Sequence, residues 1–253
     1  VTGAQAVVPS VAFAHGLSLG EFDLGIGGAA YIDRAGRTSW KKTLNAPAEI
    51  PGAVDGPQRW STINTNMLIM SSGVGVGLRY RPIGLSFGVT PLYHYATLST
   101  LRARNPDGSD RVFDDAGRLA EGRVLFDGGE GQELSWIAGV RWVPSDRFSI
   151  SATWHSAIDF KLEGLATITF GLADETTAQA AFELPVPQTL RTEMVIGLNE
   201  HFQLRPQLSW VEWSVMNVQE AINIENGEIV LSQERQFVDI YAVKTVLDWQ
   251  AHS

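Results

Sequence analysis

Residues 132–163 read QELSWIAGVRWVPSDRFSISATWHSAIDFKLE, and their parity decides the fold. Leu134, Trp136, Ala138, Val140 and Trp142 fall on one face of an extended chain, with Glu133, Ser135, Gly139 and Arg141 on the other. After Pro144-Ser145-Asp146 the alternation restarts. Phe148, Ile150, Ala152, Trp154, Ile158, Phe160 and Leu162 share one face, opposite Ser149, Ser151, Thr153, His155, Asp159, Lys161 and Glu163. Successive side chains leave a pleated backbone on opposite sides, so period two signals a strand. The second run keeps its phase for about sixteen residues, against about five or six in an ordinary strand. A tilted strand crossing a bilayer needs about nine to eleven residues in lipid plus overhangs. The length points to a membrane barrel.

Bulk composition is compatible with that. Apolar residues make up 44% of the 253, and a barrel hides its lipid-facing residues among polar ones, so no window average rises. No run approaches the roughly twenty apolar residues of a membrane-spanning helix. A net charge of −9 argues against nucleic acid, whose phosphates need clustered Lys and Arg. The absence of cysteine excludes disulfides, thiolate metal sites and a Cys nucleophile. Eight Trp suit the headgroup boundary, where an apolar ring and an N–H tip are both satisfied. The chain opens at Val1 with no signal-peptide pattern and stops just after a strand-like run, so we expect a portion of a larger barrel.

Strand-like runs cover 7–14 (with Pro9 as an edge or kink), 21–31, 62–80, 85–95, the two quoted above, 189–198, 202–213 and 237–249. This gives about nine strands of one antiparallel transmembrane β-barrel, all-β and incomplete. Between them short turns alternate with long excursions at 32–61, 105–131, 165–187 and 214–235. Outer-membrane barrels have short periplasmic turns and longer extracellular loops; a soluble sandwich has no reason to sort its loops this way.

Three stretches resemble the FadL family of outer-membrane transporters for long-chain fatty acids and other hydrophobic compounds. They are Leu134 to Pro144 continuing through Thr153 to Gly164, then Leu184-Pro185-Val186-Pro187-Gln188-Thr189-Leu190-Arg191, and Leu208-Ser209-Trp210-Val211-Glu212-Trp213-Ser214. The resemblance implies a plugged barrel in a bacterial outer membrane, with one kinked strand that opens sideways, and passive uptake of a hydrophobic small molecule. It implies contact with outer-membrane lipid and lipopolysaccharide and no cofactor. The hatch that plugs the family's lumen and the last strands are not found here, and Pro9 is the expected site of the kink. Two other readings stand beside transport: a structural or adhesive barrel binding a protein partner through its long loops, and a general porin.

Candidate ligand residues follow from parity. Arg79, Arg141, Lys161, Arg191 and Lys244 fall on the lumenal parity with Glu133, Asp159, Glu163 and Glu193. Either they neutralise one another across strands, or one or two cations hold a substrate carboxylate while apolar walls hold its tail. Lys161 and Arg191 are the expected pair, at similar height on consecutive strands, with Arg141, His94 and His155 also lining the lumen. The five His are scattered without metal-site spacing, and no Ser–base–orienter spacing marks an enzyme. The loop alternation predicts that a membrane-impermeant label reaches residue 108 from outside intact cells but not residue 145; the reverse would invert the topology.

Overall fold

A computed structural model describes residues 8–40, 56–105, 111, 113, 115–117, 121–170 and 175–249. Thirteen strands run through these residues: β1 (Ser10–Leu19), β2 (Phe22–Ser39), β3 (Asn64–Tyr80), β4 (Leu85–Arg104), β5 (Gly122–Ser145), β6 (Phe148–His155), β7 (Ile158–Phe170), β8 (Thr176–Val186), β9 (Thr189–Gly197), β10 (Phe202–Val211), β11 (Val218–Asn223), β12 (Ile229–Glu234) and β13 (Ile240–Trp249). All pair antiparallel in one sheet. Its main path, β1-β2-β3-β4-β5-β6-β9-β10-β13, has nine strands, and β7, β8, β11 and β12 lie off it. The nine strands expected from the sequence are this path. Of the other four, β8, β11 and β12 occupy what parity and polarity marked as loops, and β7 takes the second half of the long run 148–163 together with the start of the loop after it.

Three of those segments therefore need correction. Residues 165–187 are most of the β7–β8 hairpin, 214–235 contain β11 and β12, and 105–131 include the first part of β5. Within 32–61, β2 extends to Ser39 and a short 3-10 turn forms at Pro57–Trp60; residues 41–55 fall outside the described set. Segments with many polar residues still build ladders when neighbouring strands offer edges. Pro9 lies just before β1 rather than within a kinked strand.

The sheet forks on β5. Its later residues, Ile137 to Trp142, pair with His155 to Ile150 of β6, while Gly122 to Asp127 pair with Phe170 to Leu165 of β7. Between the branches, the Ser156 N–H donates to the Trp136 carbonyl at 2.9 Å, and the Trp136 N–H donates to Ser156 Oγ at 3.0 Å. A serine hydroxyl thus replaces a ladder carbonyl where the chain leaves one neighbour for another.

Three consecutive cross-strand rows define the two faces of the main path. Ser18, Asp23, Arg79, Ser86, Arg141, Ser151, Glu193, Gln207 and Lys244 are register partners, one per strand, and every one is polar. The adjacent row points to the opposite face: Leu17, Leu24, Leu78, Phe87, Val140, Ala152, Thr192, Leu208 and Val243. Its large apolar members are exposed, as are Leu134, Trp136 and Tyr241 on the same face. Side chains of this kind facing water over nine strands would be an aggregation surface; facing acyl chains they are at home.

On the polar side the long-loop end is filled. Ile69 and Ala96 with Leu98, from β3 and β4, pack against Phe126 of β5 and against Ile158, Phe160 and Leu162 of β7, with Phe182 of β8 and Ala221 of β11 closing the cluster. The ends of the strands are fixed by tight geometry. Gly84 sits at φ 67° after the Arg81–Ile83 turn, and a Cβ there would collide with the Val143 carbonyl oxygen. Gly84→Ala should cost about 1–3 kcal/mol, read as a lower urea midpoint for the folded barrel; an unchanged midpoint would mean this turn is not held against β5.

Candidate functional site

The third row carries the site. Gly16, Gly25, Gly77, Gly88 and Gly139 are register partners across β1 to β5, and the row continues through Thr153 to Arg191, Ser209 and Ala242. It lies on the same face as the polar row, one pleat further from the short turns. Side chains are missing along this row, leaving a groove of about 610 Å³ whose floor includes Gly25, Gly77, Gly88 and Gly139 and whose sides include Ala14, Leu92 and Ile137. Three strand spacings of about 4.8 Å make the glycine part of that floor about 14 Å across.

Where the glycines end, charge begins. Thr153, His155, Arg191, Glu193, Gln207, Ser209 and Lys244 line a second cavity of about 620 Å³. Gln207 Nε2 donates to Glu193 Oε2, so the carboxylate two residues from Arg191 on β9 is occupied by an amide. Among the described residues no ion pair or side-chain hydrogen bond engages Arg141, Arg191 or Lys244. These three guanidinium and ammonium groups face the concave side and remain open to an anionic ligand.

The expected residues divide as follows. His155, Arg191 and Arg141 lie on the concave face, His155 and Arg191 in one cavity. His94 lies on that face too, but it is 2% exposed and held at both ring nitrogens. Ser71 Oγ lies 2.7 Å from Nδ1 and Ser135 Oγ lies 2.6 Å from Nε2, tying β3, β4 and β5 together. Phe160 stands edge-on to its ring, centroids 6.3 Å apart at 85°. His94 therefore braces the wall rather than lining a free cavity.

Lys161 is the clear correction. It lies on the outward side of β7, its side chain 61% exposed, 3.9 Å from Glu163. The chain turns over at Ser156 and Ala157. His155 faces inward opposite Ile137, and Ile158 faces inward opposite Val186, three residues on rather than the two that alternation requires. Lys161 and Arg191 do not converge. Lys244, noted only for its parity, takes the place beside Arg191.

Two further features escaped the sequence reading. At the long-loop end Arg102 and Arg235 line a cavity of about 300 Å³ with Thr65, Thr100 and Phe182; burial, then the charges of Arg104 and Arg235, push the Arg102 guanidinium down to about 10. In the wall, the β3–β4 ladder pairs Gly73 with Leu92 and Val76 with Val89 but skips the residues between, where Pro91 has no N–H to give. The glycine-floored groove and an apolar groove of about 530 Å³ on the lipid side share Gly28, Ala29, Gly73 and Leu92. Only backbone separates them there. Among the described residues no three His, Asp or Glu gather as metal ligands.

A glycine-floored concave face, an apolar convex face and strands of membrane length are the features of an outer-membrane β-barrel. The family model for outer membrane protein transport protein (OMPP1/FadL/TodX) matches residues 84–246, more than half of the chain, and the chain belongs to that family. It is part of a bacterial outer-membrane β-barrel. Among solved structures it is similar to a FadL homologue of Pseudomonas aeruginosa, with TM-score 0.71 and 15% identity, over 97% of this chain and 57% of that one. The toluene transporter TbuX of Ralstonia pickettii gives 0.64 and 15% identity, over 95% of this chain and 65% of that one. The toluene transporter TodX of Pseudomonas putida gives 0.64 and 13% identity, over 97% and 69%. The chain thus spans 57% and 65% of the length of the first two. No curated protein matches it.

The two reassigned residues separate by stability. Lys161→Ala should change the unfolding free energy by less than about 0.5 kcal/mol. His94→Ala leaves a cavity and two buried hydroxyls without their partner and should cost about 2–5 kcal/mol. Urea unfolding in lipid vesicles reads both, and the opposite order would restore the first assignment.

Proposed function

We propose that this chain forms the wall of a passive channel for hydrophobic small molecules that carry an anionic head, with long-chain fatty acids as the class that fits. The observation that carries this reading is the single row in which five glycines run into Thr153 and Arg191. An acyl tail lies across backbone with no side chain to displace, and its carboxylate reaches Arg191 about two strand spacings, roughly 10 Å, beyond Gly139, with Lys244 two strands further on in the same cavity. A neutral aromatic cargo offers those cations only its π face, a weaker partner than a carboxylate. The solvation that an unpaired cation keeps in a wet lumen is exchanged for a carboxylate without stranding a buried charge.

The thin wall at Gly28 and Gly73 beside Pro91 supports sideways release into the bilayer, from the concave groove to the apolar one. The β7–β8 and β11–β12 hairpins project from the long-loop end, where lipopolysaccharide and any protein partner would be met. A charged head at two positions should contribute about 1.5–3 kcal/mol. Replacing both Arg191 and Lys244 by Ala should therefore weaken binding of a fatty acid about tenfold or more and leave its methyl ester unchanged. Equal losses for acid and ester would assign the two residues to the barrel wall instead.

A further inference from the structure

On the uptake reading above, we propose that the contact of Phe160 with His94 is the size-limiting constriction between the outer face and the glycine-floored groove, with the β7–β8 hairpin as its moving side. On β4 the inward residues climb from Leu92 through His94 to Ala96 and Leu98. Leu92 borders the groove, whereas Ala96 and Leu98 belong to the packed core. His94 is the step between the open and filled parts of the lumen, and Phe160, 1% exposed, covers it.

The two sides of this contact are built differently. His94 is fixed by Ser71 and Ser135 from the neighbouring strands. Phe160 belongs to a branch that leaves the main path at Ser156 and Ala157 on one strand and at Pro187 and Gln188 on the other, since β7 and β8 end there and β6 and β9 take over. Between Glu130↔Glu163 and Ile137↔His155, β5 has no ladder partner on this side and is held through Ser156. A hinge with few hydrogen bonds beside a braced wall opens at the seam. The core above it is apolar on both sides, so a flexible acyl chain replaces Phe160 against Ile69 and Ala96 without unpaired polar groups, while a rigid fused-ring molecule needs a wider gap.

The test uses intact cells producing the whole protein and no other channel of this kind, with oleate and pyrene as probes. Phe160→Ala should admit pyrene severalfold faster and change oleate less; Phe160→Trp should slow both. Heat-modifiable gel mobility reports folding, and Phe160→Leu, with an intermediate gain for pyrene, serves if the alanine variant does not fold. Phe126→Ala removes another ring of the same core from the trunk strand and should leave both rates at the wild-type value. Unchanged pyrene entry in the Phe160 variants, or an equal rise in Phe126→Ala, overturns the constriction while leaving uptake standing. Wild-type cells that take up neither probe would overturn the uptake reading, and the constriction with it.

Discussion

Every backbone N–H and C=O at membrane depth needs a partner, because lipid supplies none and each orphan costs several kcal/mol. β5 meets that requirement over 24 residues by changing neighbours partway. It bonds to β4 along one side throughout, and on the other to β6 at the short-turn end and β7 at the long-loop end. The change of partner is bridged by one serine hydroxyl and one amide at Ser156. Everything else in the molecule is arranged around that fork. One branch continues the barrel wall, and the other folds into a packed outer layer.

The fork also separates two solvents. Below it, outward residues such as Leu134, 67% exposed, meet lipid and inward ones form a polar row and a glycine row. Above it, Ile158, Phe160 and Leu162 face a protein core, and Lys161 and Glu163 face out. The glycine row and Arg191 share one cross-strand register, so a bare backbone floor and a cation are set side by side across strands rather than along any one of them.

The fold was legible because alternation and loop spacing are local signals. The nine strands of the main path were all visible, and so was the concave placement of Arg141, Arg191 and His155. Lys161 was misplaced for a specific reason. Even-numbered residues from Phe148 to Leu162 are apolar except Ser156, but those before it face lipid and those after it face core. Lipid and core select the same side chains, so the reversal at Ser156 and Ala157 leaves the pattern intact. The glycine row escaped for the complementary reason. Gly16, Gly25, Gly77, Gly88 and Gly139 lie up to 123 positions apart in sequence, and only the register brings them together. His94 had the right parity, but whether a polar inward residue is braced or free depends on Ser71 and Ser135, which parity cannot pair with it.

The reversal at Ser156 and Ala157 is the central claim, since the fork, the packed outer layer and the relocation of Lys161 all depend on it. Single spin labels placed along residues 148–163 of the whole protein in bilayers test it most directly, through collision rates with lipid-dissolved oxygen and with a water-soluble nickel chelate. A reversal there gives oxygen-accessible labels at 148, 150, 152 and 154, shielding from both reagents at 158, 160 and 162, and chelate access at 161 and 163. Oxygen accessibility that keeps alternating on the even positions through 162 would contradict it.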